Sequence, residues 1–107
     1  MTEKDYEIPF TVIMKASSAK EKFLLAVKEA RNGNFENAEK MVSEGELDLR
    51  EAHKTQTALI QAEARGEKTE FSIIFIHSQD HLTMALTIKD MAEEMIEGYK
   101  LFYKKEK

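Results

Sequence analysis

Apolar positions recur along most of the chain at steps of three and four, the spacing of one face of a helix. The pattern is clearest in the last third. Ile74, His77, His81, Met84, Ile88, Met91 and Met95 follow alternating steps of three and four, a seven-residue seam of coiled-coil type. Ile73, Ile76, Asp80, Met84, Thr87 and Met91 form a second stripe beside it. Together they make a face wider than one antiparallel partner covers, so burial on two sides is expected, by the chain's own bundle and by an oligomer. The run Phe71–Ile76 has the composition of a strand, but it continues into the 3.6-residue period and is assigned to the helix.

Break points are few, with one proline and four glycines. Pro9 is expected to open the first helix, because its missing N–H would be an orphan there. Gly33, in Asn32-Gly33-Asn34, fits a left-handed C-cap, with Asn34 as the next N-cap. Gly66 ends the second pattern, and Thr69, three residues before Ser72, is the candidate N-cap that follows. Gly45 leaves the continuity of the second helix open. Gly98 falls inside the third, at a cost of about 1 kcal/mol relative to alanine. The spacing predicts three helices over roughly 10–32, 34–65 and 70–104, about 35, 48 and 52 Å long. The expected fold is all-α, an antiparallel three-helix bundle occupying residues 1–107 as a single domain.

Composition removes several classes of function. The chain has 107 residues, with 16 Lys and Arg against 20 Asp and Glu for a net charge of −4. An acidic balance argues against non-specific nucleic-acid binding, which depends on neutralising phosphates with Lys and Arg. No apolar run approaches the ~20 residues needed to span a bilayer. The opening MTEKDYEIPF lacks a signal peptide's apolar stretch, so a soluble, cytoplasmic protein is expected. The absence of cysteine excludes disulfides, thiolate catalysis and cysteine-type zinc sites. Lys100, Lys104, Lys105 and Lys107 crowd the end of the third helix, where cations complement the macrodipole.

Candidate chemistry sits where polar residues interrupt the seam. His77, Asp80 and His81 cluster in one turn, and buried polar groups cost a few kcal/mol unless they find partners. Three readings fit the spacing. The cluster is a satisfied polar layer that fixes register, or a zinc site built on the i, i+4 histidines with Asp80, or it contains a reactive histidine, nucleophilic as neutral imidazole. Periodicity does not choose among them. His53, the remaining histidine, reads as a packed or surface residue, and the methionines of the seam read as core.

Larger motifs narrow the choice. Ile76-His77-Ser78-Gln79-Asp80-His81-Leu82 resembles the His-x-Gln-Asp-His-Leu signature of the lactose/cellobiose-type enzyme IIA of the bacterial sugar phosphotransferase system. Ala30–Ala38 is similar to that family's Asn-Gly-(Asp/Asn)-Phe turn, and Glu51–Thr57 to its Glu-Ala-His-x-x-Gln-Thr stretch. The similarity runs from about residue 10 to residue 104. Departures are Ala16–Glu21, where the family commonly has Ala-Gly-Asp/Asn-Ala-Arg/Lys-Ser, and Thr83, where methionine is usual.

The resemblance implies a cytoplasmic phosphocarrier that forms a parallel, nine-helix homotrimer. It implies phosphoryl acceptance from the histidine-containing phosphocarrier protein and donation to a cysteine of a IIB protein or domain. The end served is uptake of a diglycoside through a membrane IIC partner. The phosphorylated histidine would be His77, with Gln79 and His81 stabilising the phosphoryl group. Asp80 would face the threefold axis and bind a structural Mg²⁺. The chain has no Gly-rich phosphate loop, so a protein donor rather than a nucleotide is expected. The alternative is a non-catalytic helical adaptor or metal-binding protein with a structural His-Asp-His layer.

Overall fold

Three helices follow one another: α1 (Glu3–Arg31), α2 (Phe35–Ala64) and α3 (Ile73–Lys105). The structure, a computed structural model, describes residues 3–68 and 72–105, with side chains described from Tyr6 in α1. No strand occurs among the described residues, and the all-α reading holds.

Helix ends follow local chemistry. Gly33 and Gly66 adopt φ of 84° and 88°, the left-handed region in which only glycine avoids a Cβ clash. Asn34 precedes α2 but makes no side-chain cap bond; its Nδ2 instead donates to Glu29 Oε2 at 2.8 Å. At the start of α3 the capping residue is Ser72, whose Oγ accepts from the Phe75 N–H at 3.2 Å. The alternative, Thr69, lies outside the described residues.

Pro9 departs from expectation. The first helix begins at Glu3 and runs through Pro9, which is buried. The ring forfeits one hydrogen bond to the preceding turn, and only the helix's first turns lie before it. Gly45 does not interrupt α2, and the ring of Phe23 lies against it. A Cβ there would come within 2.7 Å of Phe23 Cε1.

α1 is the central helix, packed along both α2 and α3, which meet each other sparsely. The core is built largely of alanine, with Ala16, Ala19, Ala26, Ala30, Ala38, Ala52, Ala85 and Ala92 buried around Val12, Phe23, Leu49, Leu82 and Ile96. Small side chains let the helices approach closely but bury little apolar surface each. The rod measures 59 × 24 × 19 Å, with a radius of gyration of 16.9 Å, against about 13 Å for a compact domain of this length. Tyr103 closes one end: its hydroxyl donates to the Arg31 carbonyl at 2.8 Å, and its ring meets Phe35 edge to face at 5.5 Å.

α3 turns a different stripe inward from the seam expected of it. Ser78, Leu82, Ala85, Ala92 and Ile96 are buried. Met84, Met91 and Met95 are half exposed, and Ile73 is 88% exposed. The methionines are therefore not core within one chain. The smaller stripe fits against α1, which leaves the methionine stripes on the open side.

Candidate functional site

Ser72 caps α3 and starts its register, so that His77 and His81 emerge one turn apart on the same side, as i, i+4 residues do. Their Nε2 atoms are 3.0 Å apart, and the rings meet at right angles with centroids 4.5 Å apart. His77 is exposed and His81 half-buried. Burial, the neighbouring His77 and the charge of Lys20 hold His81 below the ordinary imidazole value, with Asp80 pulling the other way. A lowered value keeps His81 neutral at neutral pH. In a neutral pair one ring donates its Nε2–H and the other offers a lone pair.

Gln79 goes elsewhere. Residues two apart on a helix do not share a face, and its Oε1 accepts a hydrogen bond from Gln56 Nε2 of α2. Its Nε2 is 3.4 Å from Ser78 Oγ, and the fully buried Ser78 donates to the Phe75 carbonyl at 2.5 Å. Asp80 is exposed on the outward stripe of α3. His53, also exposed, borders a shallow groove with Glu46, Leu49, Arg50, Leu86 and Lys89, further along the bundle.

Among the described residues, one chain builds neither a buried polar layer nor a metal site from this cluster. His77 and Asp80 are exposed, so the three helices alone do not bury a polar layer. Among the described residues, no three of His, Asp and Glu converge on a metal position. Sequence reasoning missed Ser78 and Gln56. Ser78 falls at i−4 and i−7 from Leu82 and Ala85, a spacing that marks it as inward-facing. Gln56 lies within the Glu51–Thr57 stretch, but its partner depends on how α2 and α3 align.

Between α1 and α2 lies a second polar cluster. Asp48 Oδ2 accepts from Ser18 Oγ and Lys22 Nζ, both at 2.7 Å, and Lys15 pairs with Glu51 at 2.9 Å. Burial works to raise the Asp48 carboxyl, but Lys22, Ser18 and Lys15 together outweigh it and leave it below its ordinary value. Ser18 lies in the segment that departs from the expected motif, and here it anchors the α1–α2 contact.

The slender three-helix bundle thus presents two facing imidazoles, His77 and His81, beside an exposed apolar stripe of α3. The chain belongs to the family described as the lactose/cellobiose-specific IIA subunit of the PTS system, whose model matches residues 7–100. It is 41% identical over 99 residues to the lichenan-specific phosphotransferase enzyme IIA component of Bacillus subtilis, covering 92% of this chain and 90% of that one. It is 41% identical over 91 residues to the lactose-specific EIIA component of Staphylococcus epidermidis, covering 85% and 88%. A crystal structure of the cellobiose-specific enzyme IIA from Bacillus anthracis superposes with a TM-score of 0.94 at 40% identity, covering 98% and 96%. A solution structure of the IIA(Chitobiose)-HPr complex from Escherichia coli matches with a TM-score of 0.81 at 28% identity, covering 95% and 99%. The chain is thus a IIA component of the sugar phosphotransferase system. No helix among the described residues is long and apolar enough to cross a membrane.

Proposed function

We propose that this protein is a cytoplasmic phosphohistidine carrier, taking a phosphoryl group from the histidine-containing phosphocarrier protein onto His77. It then passes the group to a IIB cysteine for uptake of a diglycoside through a IIC partner. The observation that carries the reading is the exposed His77 with the His81 Nε2 held 3.0 Å from its own Nε2. The His77 lone pair attacks phosphorus in line as the donor's P–N bond breaks, while the other ring nitrogen keeps its proton. The His81 Nε2–H then turns from that lone pair to a phosphoryl oxygen, where charge-assisted hydrogen bonds are strongest. Gln79, held by Gln56 on the α2-facing flank, would have to leave that partner to reach the phosphoryl group.

The outward stripe of α3 supports assembly as a homotrimer. Ile73, Ile76, Met84, Met91, Met95, Leu101 and Phe102 are 45–88% exposed, a larger apolar face than a soluble monomer ordinarily leaves uncovered. Asp80 lies on the same stripe. Three copies meeting at an axis would bring three carboxylates together, a donor set that fits a hard, oxygen-preferring cation such as Mg²⁺. One chain supplies only one such ligand. The ion would neutralise like charges at the axis, apart from the transfer chemistry.

Incubation with phosphoenolpyruvate, enzyme I and the histidine-containing phosphocarrier protein tests the reading. Acid-labile phosphate on the protein is expected. A protein that stays unlabelled while the phosphocarrier is labelled would refute it.

A further inference from the structure

The flanks of α1 and α3 are fixed by their contacts with α2. On α1, Ser18 and Lys22 reach Asp48 and Lys15 reaches Glu51, which marks the flank turned toward α2. Lys20 lies about 160° round the helix from Lys22, on the opposite flank. Its neighbour Ala19 packs in one cluster with Leu82 and Ala85 of α3. On α3, Gln79 reaches Gln56 and Lys89 reaches Glu46, which marks that helix's α2-facing flank. His77 and His81 lie on the other one. Lys20 and the imidazole pair therefore border the same α1–α3 groove. A lysine on α1 also leans toward the N-terminal end of its helix, the end at which α3 carries the histidines.

Lys20 is half-buried, unlike a freely solvated surface lysine. Among the described residues it has no hydrogen-bond or ion-pair partner, whereas Lys15, Lys22, Lys89 and Lys100 each hold a carboxylate. Its charge is felt at His81, as described above. A half-buried cation on the groove that the imidazole pair borders, with no carboxylate to satisfy it, is arranged for an anion that arrives later. We propose that Lys20 is the counter-charge of the phosphorylated state, stabilising the phosphoryl group on His77 across the α1–α3 groove. The inference rests on the phosphocarrier reading and adds a positioning cation to it. A phosphoryl group brings up to two negative charges, and a lysine within a Debye length of about 8–10 Å interacts with them appreciably.

The test is the equilibrium constant for phosphoryl exchange with the histidine-containing phosphocarrier protein, read by ³¹P NMR for wild type, Lys20→Met and Lys20→Arg. An equilibrium constant compares the separated proteins and is blind to docking contacts, so a lysine that only guided the donor would leave it unchanged. Lys20→Met is expected to shift the equilibrium toward the donor by about three- to tenfold at low salt. The shift should shrink in molar salt, and Lys20→Arg should retain the wild-type value. A salt-independent shift would assign Lys20 a packing role and overturn the proposal, as would an unchanged equilibrium in Lys20→Met. Lys20→Gln, compared at matched helicity, gives the same reading if the methionine variant folds poorly. A wild type that takes no phosphate would instead overturn the carrier reading itself.

Discussion

Gly45→Ala is the sharpest structural perturbation available in the bundle. Alanine normally improves a helix interior over glycine by about 1 kcal/mol, so propensity alone predicts a more stable protein. Packing predicts the reverse. The new Cβ would lie 2.7 Å from Phe23 Cε1 and 3.0 Å from both Cδ1 and Cζ, inside van der Waals contact. The Phe23 ring is fully buried and cannot swing into solvent. Overpacking of this kind costs about 1–3 kcal/mol, and with a rigid ring the upper half of that range applies. The net expectation is a loss of about 1–2 kcal/mol, or about 5–10 °C in Tm for a domain of this size. Thermal melts at one fixed protein concentration measure it, because assembly would make Tm concentration-dependent. Adding Gly45→Ala to Phe23→Leu, where the ring is gone, should cost nothing further. A Gly45→Ala protein melting at or above wild type would refute the close approach of α1 and α2.

Three other outcomes follow from the site and its supports. His81→Ala should slow phosphoryl acceptance without abolishing it, since a single donor contributes a few kcal/mol to the transition state; rapid-quench labelling measures the rate. Asp48→Ala should lower stability by about 1–2 kcal/mol, leaving Lys22 and Ser18 without their acceptor. Because the folded carboxyl lies below its ordinary 3.8, its contribution is fully present above that pH and fades as pH falls through the lowered value. The variant's urea-derived stability should therefore be less sensitive to pH below about 4 than the wild type's. On the proposed trimer, Asp80→Leu should remain trimeric with chelator and melt no lower than wild type while binding no axial metal, because replacing converging charges with apolar groups is often neutral or stabilising. Sedimentation velocity with and without EDTA decides, and a monomeric variant would show that the metal holds the trimer.

Much of this structure was written in the periodicity. Three helices, the glycine stops at Gly33 and Gly66 and the shared side of His77 and His81 depend on interactions within a few residues. The fate of the α3 stripes was not legible in the same way. Periodicity shows that Met84, Met91 and Met95 share a face, but the inward stripe is chosen by which side chains fit beside the alanines of α1. The smaller Ser78–Leu82–Ala85–Ala92 stripe fits there. Pro9 misled because the chain before it has helical capacity that a proline rule ignores. Gln56 with Gln79, and the charge of Lys20 acting on His81, depend on the alignment of separate helices, which no local pattern encodes. The Glu51–Thr57 and Ala16–Glu21 segments flagged the regions that contain these residues without revealing their partners.

In the proposed carrier, one nitrogen of His77 holds the phosphoryl group. Wild type and His77→Gln, each phosphorylated through phosphoenolpyruvate, enzyme I and the histidine-containing phosphocarrier protein, can be digested at alkaline pH and mapped by mass spectrometry. Phosphate is expected on His77 in the wild type, and none in a His77→Gln protein that keeps its helicity and assembly. Phosphate found on His81 or His53, or a His77→Gln protein labelled at the wild-type rate, would contradict it.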